Sequence, residues 1–205
     1  MSESGAPEQA VILASASPTR RDMLRAAGVP LQVEPAHVDE DEVKTALHAD
    51  QASALQAAET LAELKAARIS ARHGAALVIG ADQILDCDGR WFDKPADRTM
   101  AAAHLQALSG KRHTLATSVC VMRGGTRLWH HNEAAHLTMR SLNDEFIAGY
   151  LAATGDDVLS TVGAYRLEGR GAQLFARIEG DFFTILGLPL LPLLENLRAH
   201  GVLPT

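Results

Sequence analysis

Aromatic side chains are scarce, 4% of 205 residues, so the chain lacks the stacking platforms on which single-stranded nucleic acid is held. Its core has to be built from Ala, Leu, Val and Ile. Cysteine is nearly absent, and Cys87 and Cys120 are too few and too far apart for a disulfide framework or a zinc knuckle. Both read as reduced bystanders. No apolar run approaches the roughly 18 residues of a membrane span, and the opening MSESGAPEQA lacks the basic-then-apolar layout of a signal peptide. Positive charge is also in deficit, with a formal net charge of −6, which argues against a broad polyanion-binding surface but leaves room for one local positive pocket. The expectation is one soluble domain over residues 1–205, with residues 1–9 a flexible N-terminus, in the cytoplasm, and with neither nucleic acid nor membrane as partner.

Several motifs are missing as well. No GxxxxGK[ST] occurs, which excludes a Walker-type phosphate loop by pattern, and the glycines from Gly163 to Gly171 do not make a GxGxxG between strand and helix. Ser15 and Ser17 sit in no glycine elbow with a nearby histidine, so no serine nucleophile is expected. His130, His131 and His136 lie on a predicted strand without a second cluster at ligand spacing, and they read as ordinary surface or core histidines.

What is present begins at Leu13. In LASASPTRR a short apolar strand, Ala10 to Ala14, turns into a helix from Ser17 to Ala27 that Gly28 ends. Ser17 suits the N-cap and Pro18 the first helical position. Free N–H groups, the helix dipole and the Arg20 and Arg21 guanidinium forks would then converge on one point, an arrangement suited to a phosphate chain. Leu31 to Val33 reads as a strand, and Val38 to Glu42 as a solvated acidic loop. Leu55, Ala58, Leu61, Ala62 and Ile69 recur at helical spacing, predicting a long amphipathic helix between Gln51 and Arg72 that carries Lys65. The apolar strand Leu77 to Ile79 follows, with Gly80, Ala81 and Asp82 at its end. Asp82 lies between Ile79 and Ile84, so it should sit near the interior and require a partner. Asp88 and Gly89 mark a hairpin whose return would bring Lys94, ahead of Pro95, toward Asp82 as that partner.

Beyond it, a helix is predicted from Arg98 to Leu108, closed by Gly110. Two strands, Thr114 to Met122 and Leu128 to Thr138, join at Gly124 and Gly125. Ser141 and Asp144 form a candidate capping box for a helix through Ala153. A glycine-punctuated run from Gly163 to Asp181 precedes a last helix introduced by Gly187, Leu188 and Pro189.

Hydrolysing a phosphoanhydride requires neutralised phosphate charge, a positioned water and usually a divalent metal. Arg20, Arg21, Lys65 and Lys94 are able to hold phosphate oxygens. Glu40 and Asp82 are able to ligate Mg²⁺ or Mn²⁺ and to draw a proton from water.

The ordered blocks LASASPTRRDML, VDE, LAELKA, GADQ, DKP, LSGKRH, GAYRLEG and GLPL resemble the Maf family of nucleotide pyrophosphatases over almost the whole chain. That resemblance implies an α/β fold like that of the inosine triphosphate pyrophosphatases, with a central twisted mixed sheet flanked by helices and two lobes with a cleft. It implies metal-assisted hydrolysis of nucleoside triphosphates to monophosphate and pyrophosphate in the cytoplasm, and a homodimer as the plausible assembly. Asp82 matches the family's proton acceptor, while Ser15, Arg20, Glu40, Lys65 and Lys94 match its other polar site positions.

The family's three specificity positions fall on Thr19, Gln83 and Glu168. The dTTP/UTP subgroup typically has Arg, Thr and Gln there, whereas Gln and Glu at the last two resemble the subgroup acting on 7-methyl-GTP. Thr19 departs from the aromatic or basic residue expected, and Ser160 and Thr161 stand where the dTTP subgroup has Asp and Lys. Guanine offers N–H donors at N1 and N2 that a carboxylate accepts, and N7 methylation adds a positive charge that a carboxylate favours. The alternatives are a dTTP/UTP pyrophosphatase and a nucleotide-binding regulator of septum formation that needs no catalysis.

Overall fold

The computed structural model describes residues 10–205; the N-terminus expected to be flexible, residues 1–9, lies outside the described residues. Its first elements follow local chemistry. Strand β1 (Val11–Leu13) is wholly buried and leads into helix α1 (Pro18–Ala26), where the Ser17 hydroxyl accepts from the Arg20 N–H at 3.3 Å and Pro18 fills the first turn. Gly28, at φ +78°, takes the left-handed conformation that ends the helix. Strand β2 (Gln32–Val33) pairs parallel with β1.

The acidic run expected as a loop is instead the start of a helix, α2 (Glu40–Ala49). Asp39 caps it by accepting from the Glu42 N–H at 3.1 Å, and Glu40, Asp41 and Glu42 occupy the first turn. Negative charge there is stabilised by the helix dipole, so the run opens a helix. Helix α3 (Ala54–Ser70) starts with a complete Ser53–Gln56 capping box and buries Ala57, Ala58, Leu61, Ala62, Lys65, Ala66 and Ile69.

Strand β3 (Leu77–Cys87) does not end at Gly80 as expected but runs on through Asp82. The hairpin at Asp88 and Gly89, with φ of +56° and +82°, turns it into strand β4 (Arg90–Phe92), antiparallel to β3. Helix α4 (Arg98–Leu108) precedes strands β5 (Arg112–Arg123) and β6 (Thr126–Met139), which join at Gly124 and Gly125. Helix α5 (Asp144–Thr154) is capped by Asn143, which accepts from the Phe146 N–H at 2.8 Å. The expected cap, Ser141, lies two residues too early. The glycine-punctuated run holds short 3₁₀ turns at Val162–Ala164 and Arg170–Leu174, the latter leading into an unexpected strand, β7 (Phe175–Glu179), antiparallel to β6. Helices α6 (Phe182–Ile185) and α7 (Leu190–Ala199) complete the chain.

The strands form one seven-stranded mixed sheet in the order β2-β1-β3-β5-β6-β7, with β4 beside β3, flanked by helices as an α/β fold requires. The chain divides into two compact units. The first comprises the residues up to Asp82, Thr117–Asn132 and Gly187–Thr205, and the second Gln83–Ala116 and Glu133–Leu186. In the first unit Ile12, Ala14, Ala62, Ala66, Ile69, Val78 and Cys120 make a core of small and branched side chains. The second is centred on Leu85, Leu105, Leu108, Leu115, Leu137, Met139, Tyr165 and Leu174. Among the described residues no helix is long and apolar enough to cross a membrane.

Candidate active site

The turn between β1 and α1 is held from inside by Arg20. Its guanidinium is buried and donates from Nε to the Gly187 carbonyl at 2.7 Å, and from Nη1 to the Ala81 carbonyl at 2.8 Å and the Ser15 hydroxyl at 3.3 Å. The Ser15 hydroxyl also accepts from the Ser17 N–H at 3.2 Å. One side chain therefore ties the phosphate-loop candidate to β3 and to the entry of α7. Burial pushes the Arg20 guanidinium below its ordinary value, against the pull of the Asp82 and Glu40 charges.

Next to it lies an ion cluster in which Lys65 and Asp82 are buried and Glu40 is half-exposed. Lys65, reaching from α3, places Nζ 2.5 Å from Asp82 Oδ1 and 2.6 Å from Glu40 Oε1. Asp82 is 5% exposed and Lys65 6%, so neither charge is stable there alone, and each offsets the desolvation of the other. Lys94 is the expected partner of Asp82, but the ammonium at Oδ1 comes from Lys65. The reason is a helix lying flush on a strand. A Cβ on Gly80 would stand 2.1 Å from the Ala62 carbonyl oxygen and 2.8 Å from the Ala66 Cβ, so only glycine lets α3 approach β3 this closely. That approach carries Lys65 to the carboxylate two residues past Gly80.

The other Asp82 oxygen, Oδ2, is buried without a hydrogen-bond partner. An acceptor left open in the interior is costly unless something else occupies it, and such exceptions mark functional positions. Burial of Glu40 works against its ionisation, but Lys65 by charge and hydrogen bond, with Lys44 and Arg20, outweighs it and holds the carboxyl below the usual range. Glu40 is therefore charged at neutral pH.

The structure gathers Ser15, Arg20, Glu40, Lys65 and Asp82 within the first unit. Thr19 is half-buried in the first turn of α1. Arg21 does not join Arg20; its guanidinium forks onto Asp22 at 2.7 and 3.0 Å on the exposed side of α1, because consecutive helical residues point in different directions. In the second unit Lys94 is exposed in the segment after β4. The Gln83 amide there donates to the Thr184 carbonyl at 2.9 Å and the Ile185 carbonyl at 3.4 Å. Glu168 accepts from Arg166 Nε at 2.9 Å.

Of the histidines, His136 Nδ1 bonds the Thr114 hydroxyl and His130 lies 3.7 Å from Glu59. Among the described residues no group of three His, Cys, Asp or Glu side chains is placed to hold a metal by itself. Sequence reasoning passed over two residues. Gly80 carries a legible signal, a glycine inside an apolar strand; Lys44, one turn after Glu40, becomes visible only once α2 is known to be a helix.

The model for Maf-like proteins matches residues 10–200 of the chain. A protein of Paramagnetospirillum magneticum named nucleoside triphosphate pyrophosphatase is 56% identical over 192 residues, covering 94% of this chain and 99% of that protein. One of the same name from Granulibacter bethesdensis is 53% identical, covering 94% and 98%. A Rhizobium etli protein named 7-methyl-GTP pyrophosphatase is 48% identical, covering 94% and 97%. With its α/β sheet, its buried Lys65 cluster and a match running over nearly its full length, the chain belongs to the Maf family.

Proposed function

We propose that the protein is a nucleoside triphosphate pyrophosphatase, hydrolysing triphosphates to nucleoside monophosphate and pyrophosphate, with 7-methyl-GTP the preferred substrate. The observation that carries this reading is the Asp82 carboxylate, oriented by Lys65 through Oδ1 while Oδ2 is left unbonded in the interior. In the reaction Oδ2 accepts a proton from water, the water oxygen bonds to phosphorus, and the anhydride bond breaks to release pyrophosphate. Arg20 keeps the β1–α1 turn in place, so that the α1 N-terminus faces phosphate.

A divalent cation, Mg²⁺ or Mn²⁺, fits the same residues. Two carboxylates within reach of one ammonium supply hard oxygen donors, Asp82 Oδ2 is open, and ions of this kind complete their shell with water and substrate phosphates. When bound, the ion would supply charge neutralisation on the phosphates. Glu40 and Asp82 would hold it.

The preference for 7-methyl-GTP rests on acceptors. The Gln83 amide nitrogen is committed to the Thr184 and Ile185 carbonyls, and Glu168 is a carboxylate, so neither side chain presents its donor end to a base. Guanine's N1–H and N2–H₂ match two acceptors, whereas the carbonyls of uracil and thymine do not. The name of the Rhizobium etli relative and the cation created by N7 methylation favour the same choice. The reading includes a cytoplasmic location, where nucleotides are made and used, and a homodimer.

The test is pyrophosphate release from dTTP, UTP, GTP and 7-methyl-GTP with Mg²⁺ or Mn²⁺. The expected result is release with the highest kcat/KM on 7-methyl-GTP. A best substrate of dTTP or UTP would transfer the chain to that specificity, and release from none would leave the nucleotide-binding regulator.

A further inference from the structure

Within the second unit, the Gln83 side chain is held by the end of α6. Its amide nitrogen donates to the carbonyls of that helix's last two residues, Thr184 at 2.9 Å and Ile185 at 3.4 Å, where helix carbonyls lack the donors of a further turn. Helix α6 has only 4 residues, too few to sustain a helix alone, so it depends on what fastens it. Thr184 does so from its side chain. The hydroxyl is fully buried, donates to Glu133 Oε2 on β6 at 2.9 Å and stands 3.2 Å from Asp181 Oδ1, the oxygen that accepts the Thr184 N–H at 2.9 Å. Hydrogen bonds to a carboxylate are among the stronger ones. An amide turned end for end fills the same space but exchanges donor for acceptor. Which end of Gln83 is withheld from a ligand is therefore set by where those two carbonyls stand.

We propose that Thr184 is a positioning residue for base choice. It acts through Gln83: its hydroxyl fixes the carbonyls that keep the Gln83 donor end from the nucleobase. With that donor withheld, the carbonyl edges of uracil and thymine lose a partner, whereas the N1–H and N2–H₂ of guanine need none of that kind. The inference rests on the reading of Gln83 as a residue that meets the base.

The experiment compares the full-length protein with Thr184→Val, which removes the hydroxyl at nearly constant shape, and Thr184→Ser, which keeps it. Two quantities are read: the ratio of kcat/KM on UTP to that on 7-methyl-GTP, and the rate at which the Gln83 side-chain amide exchanges its hydrogens with water. The amide signal is followed by ¹⁵N NMR and assigned by its loss in Gln83→Glu. In Thr184→Val the UTP to 7-methyl-GTP ratio should rise about five-fold over the parent, and the Gln83 amide should exchange faster. Thr184→Ser should stay near the parent in both. A hydroxyl that serves only stability would lower melting and slow both substrates alike, so an unchanged ratio with unchanged exchange overturns the proposal. Should Thr184→Val not fold, Glu133→Gln weakens the same bond from its other end and should shift both quantities in the same direction by less; no shift there overturns the proposal too. A parent that prefers UTP overturns the 7-methyl-GTP reading alone, because the ratio is judged against the parent. A parent that hydrolyses neither overturns the pyrophosphatase reading, and faster Gln83 exchange in Thr184→Val then still upholds the clamp.

Discussion

His113 makes the protein sensitive to mild acid, by an amount that follows from its surroundings. The ring is 1% exposed, packs against Tyr165 and Phe175 at centroid distances of 5.7 and 6.0 Å, and shares one hydrogen bond, of 2.8 Å, between Nε2 and the Tyr165 hydroxyl. Nδ1 is buried without a partner. Burial lowers the imidazole from 6.5 to about 4, because no carboxylate stands by to stabilise the cation. Burial also raises the Tyr165 phenol, so it remains protonated throughout the acid range. The folded protein therefore resists a proton that the unfolded chain accepts. Stability from this group is complete above pH 6.5 and is lost as the pH falls toward 4. At about 1.4 kcal/mol per pH unit the loss is about 2 kcal/mol by pH 5 and about 3 kcal/mol once the folded form also titrates. Urea unfolding between pH 7.5 and 3.5, in the parent and in His113→Gln, isolates the contribution, since every other titrating group is common to both. The parent should lose about 2 kcal/mol more than the variant between pH 7 and pH 5. Parallel profiles would show that His113 is not a buried neutral base.

Three further outcomes follow from the packing. Lys65→Met leaves Asp82 buried and unpaired beside Glu40, and should cost about 3 to 5 kcal/mol in urea unfolding at pH 7, with Lys65→Met/Asp82→Asn recovering a large part. Gly80→Ala forces a methyl group onto the Ala62 carbonyl and should cost about 1 to 3 kcal/mol; pyrophosphate release should fall with it, because Lys65 is moved from Asp82. Ser17→Ala removes the acceptor for the Arg20 N–H and should lower stability by about 1 kcal/mol, measured in the same unfolding assay.

The elements legible in the sequence are those set by adjacent residues. Ser17 and Pro18 start α1, Gly28 stops it, and Asp88 with Gly89 turns β3 into β4, each through chemistry that acts within four residues. Helix α2 was hidden because none of its residues is fully buried and its apolar face is short, Val43, Ala46 and Leu47; its local marks, the Asp39 cap and the acidic first turn, also suit a solvated acidic loop. Strand β7 was hidden because its residues, FARIE, are half-buried or exposed and do not alternate cleanly. At the candidate site, Asp82 declared itself as a carboxylate among apolar neighbours. Its pairing with Lys65 did not, since it depends on how closely α3 lies on β3. Gly80 sets that distance through contacts with Ala62 and Ala66, residues far from it in the chain. Arg20 and Arg21 looked equivalent as neighbours, and only the direction each takes from the helix separates the buried clamp from the exposed Asp22 pair.

The central claim is that the Asp82 carboxylate takes the proton from the attacking water. Pyrophosphate release from 7-methyl-GTP by Asp82→Asn, against a parent with the same circular dichroism and melting, tests it most directly. The account predicts a loss of about a hundredfold to ten-thousandfold in kcat, with the nucleotide still bound. An Asp82→Asn protein that turns over within a few-fold of the parent would contradict it.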